Sequence, residues 1–355
     1  MLFAAIILLV VAGGTVGLVT FLGKNKGNPV VTPGVPVAPA NNGTVLFLDS
    51  SGGQGHTDAL RISINGLSAP SAGTEYDAWL VNNQTEQTIA LGTLVANGQT
   101  FTVNYPGDGK GTNLIGAGDK VEITQEQGKV SVPTGKVILS GAFPPQAFIH
   151  IRHLLFRFST PELSTPGNEG LLVGLLDQAQ TLNGQAFALK SNADNGKLNS
   201  LKCVAQNIVN ITEGSQGSHF QQLDPTCLVR NINPVGDGFG MLGSNGYIAT
   251  SSLHASLAAT QTDSTDTIKG HAGHVIIAMD NLNGWVPTIE QDALSLLTDP
   301  TDNAKVGEIV KLANQVLIGV DINGNESIDP IHGEAGAQTA YSHAHLMATL
   351  TLNPA

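Results

Sequence analysis

The sequence predicts an N-terminal apolar helix, then an antiparallel β-sandwich, then a mainly α-helical bundle. Three observations carry this reading. Residues 2–22 contain no charged side chain. Between 44 and 141, short β-type runs alternate with Gly, Asn and Pro, and beyond 141 apolar residues recur at helical spacing. The segments that follow are an apolar helix over 1–23, a linker over 24–43, a sandwich over 44–142 and a helical, histidine-rich domain over 143–355.

The first segment, LFAAIILLVVAGGTVGLVTFL, has the roughly 20 apolar residues that a bilayer core requires at 1.5 Å per residue. It reads as a transmembrane anchor, or as a helix packed among identical helices in a filament, as in type IV pilins and archaellins once their leader is removed. Ala5 stands where bacterial pilins usually carry a glutamate. Lys24 and Lys26 follow the run and draw that end toward the cytoplasm by the positive-inside rule, against the export that the composition favours. The Pro/Gly/Val/Asn stretch after them is an extended, uncharged linker. The expected location is the outer face of the cytoplasmic membrane, the cell surface or an extracellular filament. Contacts to the membrane or to identical subunits would run through residues 2–22.

Composition narrows the partners. Hydrophobic residues make up 41% of the 355, ample for packed cores, and charged residues only 12%, about half the usual share. A surface so poor in charge favours protein partners. The net charge of −12, with 16 scattered Lys and Arg, argues against nucleic acid, which needs a basic stripe. The two cysteines, Cys203 and Cys227, are too few for a four-cysteine metal site. In an oxidising compartment they would close a loop of about 25 residues, worth roughly 3 kcal/mol.

In the 44–141 stretch the strand-like runs are 44–49, 59–64, 76–81, 88–95, 99–105, 120–126 and 136–141. Leu60, Ile62 and Ile64 share one face while Arg61 and Ser63 point away. The succession INGLSAPSAGTEYDAWLVN, ALGTLVANGQTF, DKVEITQEQG and VPTGKVILSG resembles the extracytoplasmic domain of anti-sigma-K factors over about 100 residues. The resemblance implies a β-sandwich outside the cytoplasm, with Tyr76 and Trp79 as core anchors. It does not imply sigma binding, because the sigma-gripping helical segment that precedes the membrane helix in that family has no counterpart here. It brings no catalytic residues.

Helices are expected over 146–158, 169–190, 197–213, 247–262, 266–283, 289–297, 302–318 and 335–350. Asp302 reads as a helix start and Gly319 as its stop. Nine of the ten histidines lie here. His150/His153 (HIRH) and His271/His274 (HAGH) have i,i+3 spacing, so each pair shares a helix face. Two such faces meeting in a bundle core could hold a transition metal or a bis-histidine haem. The competing reading is capping or core histidines. His343 and His345, two residues apart, would point to opposite sides of a helix.

The segment DINGNESID sets Asp321, Asn323, Asn325 and Asp329 at positions 1, 3, 5 and 9 of an EF-hand-like Ca2+ loop. Position 6 is Glu326 where Gly is usual, and position 12 is His332 where Glu is usual; Glu334 could supply the missing carboxylate. The alternative is a turn that binds nothing. The 231–241 loop, with GDGFG, reads as a structural turn. No G-x-S-x-G, P-loop or H-E-x-x-H occurs, and no triad spacing emerges. The sequence thus predicts a non-enzymatic, surface-displayed structural or interaction protein without catalytic residues. The alternatives are a pilin- or archaellin-like filament subunit, a metal- or haem-binding redox protein using the two histidine pairs, and an anti-sigma-like signalling component.

Overall fold

Period-two alternation builds the first half of the fold. In the computed structural model, which describes residues 42–50, 55–228 and 235–355, nine strands form one sheet. They are β1 (Asn42–Leu48), β2 (Ala59–Asn65), β3 (Glu75–Val81), β4 (Thr88–Thr93), β5 (Val95–Asn97), β6 (Thr100–Tyr105), β7 (Lys120–Glu126), β8 (Lys136–Ala142) and β9 (Leu350–Pro354). Their order is β4-β3-β7-β8-β9-β1-β2-β6-β5, antiparallel throughout. On β2, Leu60, Ile62 and Ile64 are buried, while exposed Arg61 donates to Asn104 on the neighbouring strand. Tyr76 and Trp79 are both buried, but three positions apart on β3 they face opposite sides. Trp79 gives its indole N–H to Thr124 at 2.8 Å.

Two features correct the expected sandwich. β4 and β5 lie at opposite edges of the sheet order, yet only Leu94 separates them in the chain. The sheet must therefore curl until its edges meet, giving a nearly closed barrel. The second feature is β9, the chain's C-terminal strand, which pairs with β1 on one side and β8 on the other. Without it those two strands would face each other with unpaired backbone groups. Leu350 and Leu352 turn inward and Thr351 outward, a strand pattern that ends the last helix earlier than expected. Residues 41–355 accordingly form one compact unit instead of a separate sandwich and bundle. The expected apolar helix over 1–23 and most of the 24–43 linker lie outside the described residues. Among the described residues no helix is long and apolar enough to cross a membrane.

The helices are α1 (Leu114–Ala117), α2 (Pro145–Leu155), α3 (Leu171–Asp194), α4 (Leu198–Glu213), α5 (Pro225–Leu228), α6 (Tyr247–Thr260), α7 (Asp266–Thr298), α8 (Asn303–Ile318) and α9 (Ala337–Met347). Cys203 on α4 and Cys227 on α5 form the expected disulfide, with Cα atoms 5.5 Å apart. α7 is the hub, packing on α4, α6, α8 and α9. The sequence predicts a break in it between 283 and 289; one helix runs through instead, with Pro287 inside. The proline forfeits one backbone hydrogen bond, and burial of Val286 and Ile289 on either side of it outweighs that loss. Asp302 caps α8 by accepting from Ala304 and Lys305, and Gly319 closes it at φ 91°.

Candidate metal centres

The two histidine pairs do not meet each other. Each instead recruits a third histidine from a different helix, so that two centres of the same design form. At the first, His150 and His153 of α2 face His254 of α6, and Nδ1 of His254 lies 3.1 Å from Nδ1 of both. At the second, His271 and His274 of α7 face His343 of α9, with Nδ1–Nδ1 distances of 2.9 and 3.2 Å. Within each centre all three ligand atoms lie within 4.8 Å of one another.

Local structure explains how each helix is aimed. α2 starts on two prolines, and Asp263, in the turn between α6 and α7, accepts from the first-turn amides of Gln146 and Ala147 at 2.7 and 3.1 Å. This cap ties the start of α2 to the end of α6 and so brings His150 and His153 to His254. Gln261, just past α6, places its side-chain amide 3.2 Å from Nε2 of His150. Arg152, between the two histidines, turns away to cover the Phe148 ring and donate to the Ile115 carbonyl. At the second centre, Asn281 of α7 donates to the carbonyls of Ile331 and Ala335 and accepts from Gly333. It sits seven residues beyond His274 on the same face of α7 and pins the segment leading into α9. His343 is thereby set against the HAGH pair.

Burial tunes His150, His153, His254, His271 and His343 toward the neutral form. It lowers the pKa of His254 to about 3, helped by repulsion from His153 and His150. His343 falls to about 4 by burial and then by His274 and His271. His150, His153 and His271 are lowered too, first by burial. A neutral imidazole keeps a lone pair for a metal. One ring nitrogen carries either one proton or one lone pair, so Nδ1 of His254 cannot fully satisfy two others, whereas a cation between them satisfies all three. With metal–nitrogen bonds of about 2.0–2.1 Å, the 2.9–3.2 Å contacts correspond to ligand–metal–ligand angles of about 90–105°. A bis-histidine haem needs its two nitrogens on opposite sides of the porphyrin, and the 3.1 Å spacing leaves no room for one.

The remaining expected residues are placed differently. His345 is nearly buried and faces the chain between β1 and β2, its Nε2 3.1 Å from Thr57 Oγ1 and 3.7 Å from Asp49 Oδ1. In the 321–334 loop, the Asp321 carboxylate accepts from the amides of Gly324, Asn325 and Glu326. Asp329 accepts from the side chains of Asn323 and Asn325. Glu334 is fully buried and takes the amides of Ile322, Asn323 and Asp329. Glu326, where an EF-hand has Gly, adopts φ 66°, so the tight bend of such a loop is kept. The three carboxylates are not among the groups that converge within 4.8 Å. From the 231–241 loop, Asp237 accepts from the Phe239 amide and from the Tyr247 hydroxyl at 2.7 Å.

A third cluster escaped the sequence. Glu213 ends α4, Glu290 lies on α7, and His219 sits on the loop after α4. Burial raises Glu290 to about 7, aided by its hydrogen bond with Glu213 and that group's charge. Burial pushes Glu213 upward as well, but hydrogen bonds from Glu290 and His219 outweigh it and leave its pKa lowered. His219 is raised by its hydrogen bond to Glu213. Only long-range packing brings these three together, and no local spacing announces them. The missing partners His254 and His343 were visible as histidines in helices but carried no spacing signal of their own. Comparison with known proteins found no family model, no curated protein and no solved structure that the chain matches.

Proposed function

We propose that this protein binds transition-metal ions through two tri-histidine centres, His150/His153/His254 and His271/His274/His343. The observation that carries the reading is the convergence of three Nδ1 atoms, twice over, at 2.9–3.2 Å from the central one. All six donors are imidazole nitrogens, a ligand set that suits copper, zinc, nickel or iron over calcium or magnesium. Three protein ligands leave a fourth position open, the arrangement of a site that exchanges or uses its ion and not of a closed structural site. A carrier or reservoir of transition metal, with two centres of one design in one chain, follows from that chemistry.

The test is titration of the full chain with Zn2+ and Cu2+, followed by metal analysis after desalting. Two equivalents are expected, one lost in His254→Ala and the other in His343→Ala. Absence of retained metal, or stoichiometry unchanged in both variants, overturns the reading.

A further inference from the structure

We propose that Glu213, His219 and Glu290 form a third metal site, chemically distinct from the imidazole centres and open to a pocket. One ligand atom from each lies within 4.8 Å of the others. Two carboxylates and one imidazole make a mixed oxygen/nitrogen set, which suits a harder divalent ion such as Mn2+ better than an all-nitrogen site does.

Three independent features of the surroundings support a cation there. His219 is an exposed loop residue, yet it is held in place twice, its backbone N–H donating to Glu213 Oε2 at 2.7 Å and its Nδ1 lying 2.5 Å from Oε1. A metal would take over the second of these contacts, while the first still holds the loop. Glu213 and Glu290 also border a cavity of about 690 Å³, which Asp237 lines as well. Among the described residues lining that cavity there are three carboxylates and no Lys or Arg. Finally, glycines let the backbone come close to Glu213, at Gly217 in the cavity wall and at Gly240 outside it. A Cβ at Gly217 would collide with the Glu213 carboxylate, and one at Gly240 with the Glu213 carbonyl. The protein supplies three ligands and the cavity leaves the remaining coordination positions to water or a small anionic ligand.

Mn2+ is the discriminating probe, because it stands lowest in the affinity order for nitrogen-rich sites and accepts carboxylates readily. Titrating the full chain with Mn2+ and following the free-ion electron paramagnetic resonance signal should show one bound ion per chain. His219→Ala, a change at an exposed loop position, should weaken it by about tenfold or more, as should Glu290→Gln. His254→Ala and His343→Ala should leave it unchanged. No stoichiometric Mn2+ binding, or binding indifferent to His219→Ala, overturns the proposal. Failure of the full chain to retain Zn2+ or Cu2+ at the imidazole centres, with the Mn2+ site present, would overturn only the tri-histidine reading.

Discussion

His254 and His343 are counterparts: each brings its Nδ1 within 3.2 Å of both Nδ1 atoms of an i,i+3 histidine pair on a neighbouring helix. His254 lies 104 residues from His150 and His343 lies 72 from His271. The same three-nitrogen geometry is thus assembled twice from different helices.

Metal should stabilise the fold. An ion that binds the native state and not the unfolded chain adds about 2.7 kcal/mol at a hundredfold excess over Kd. Thermal unfolding with and without Zn2+ should show a raised Tm that shrinks in His254→Ala and vanishes in the double variant with His343→Ala. An unchanged wild-type Tm would contradict metal binding at either centre.

Acid should separate the wild type from His254→Gln. The folded pKa of His254, about 3, is below the unfolded value of about 6.5, so the unfolded chain binds the extra proton between them. The neutral ring's contribution is therefore whole above pH 6.5 and lost progressively as the pH falls toward 3. The Gln variant lacks that titration and should gain on the wild type by up to about 1.4 kcal/mol per pH unit in this window. Whole-protein stability is a poorer readout, because Glu169 and Glu290, raised to about 7 chiefly by burial, favour the folded state as the pH falls toward their unfolded values. Urea unfolding of both proteins with chelator present, at pH 6.5 and 4.5, measures the difference.

Asn281→Ala should damage the second centre and spare the first. It leaves the carbonyls of Ile331 and Ala335 and the amide of Gly333 without their partner, at a cost of about 1–3 kcal/mol. The entry to α9 loosens with them. Metal analysis should then show binding reduced at His343's centre and intact at His254's.

Glu334→Gln should be among the most destabilising exchanges outside the apolar core, by about 1–3 kcal/mol. It replaces one of two buried acceptor oxygens by a donor facing backbone N–H groups. Chemical denaturation reads this directly.

Reducing the disulfide should cost about 3 kcal/mol and loosen the segment between Cys203 and Cys227, which carries His219. Unfolding curves with and without reductant give the first effect, and Mn2+ affinity the second.

What the sequence alone determined was local: strand alternation at Leu60, Ile62 and Ile64, the helical periods, the Asp302 and Gly319 boundaries, and each histidine pair's shared face. Spacing within one element follows from backbone geometry, so it can be read along the chain. The Cys203–Cys227 bridge was also legible, because two cysteines leave one intramolecular pairing. Tertiary structure alone decided the rest. It carried Leu350–Pro354 into the gap between β1 and β8, because two unpaired strand edges needed a partner. It kept α7 continuous through Pro287, because packing on both sides outweighed one lost hydrogen bond. It sent the two histidine pairs to separate centres and chose His254 and His343 to complete them, because Asp263 and Asn281 fix how α2 and α9 lie against their neighbours. Residue type and spacing say which side chains can ligate; which of them converge is set by contacts across 69 to 104 residues of chain.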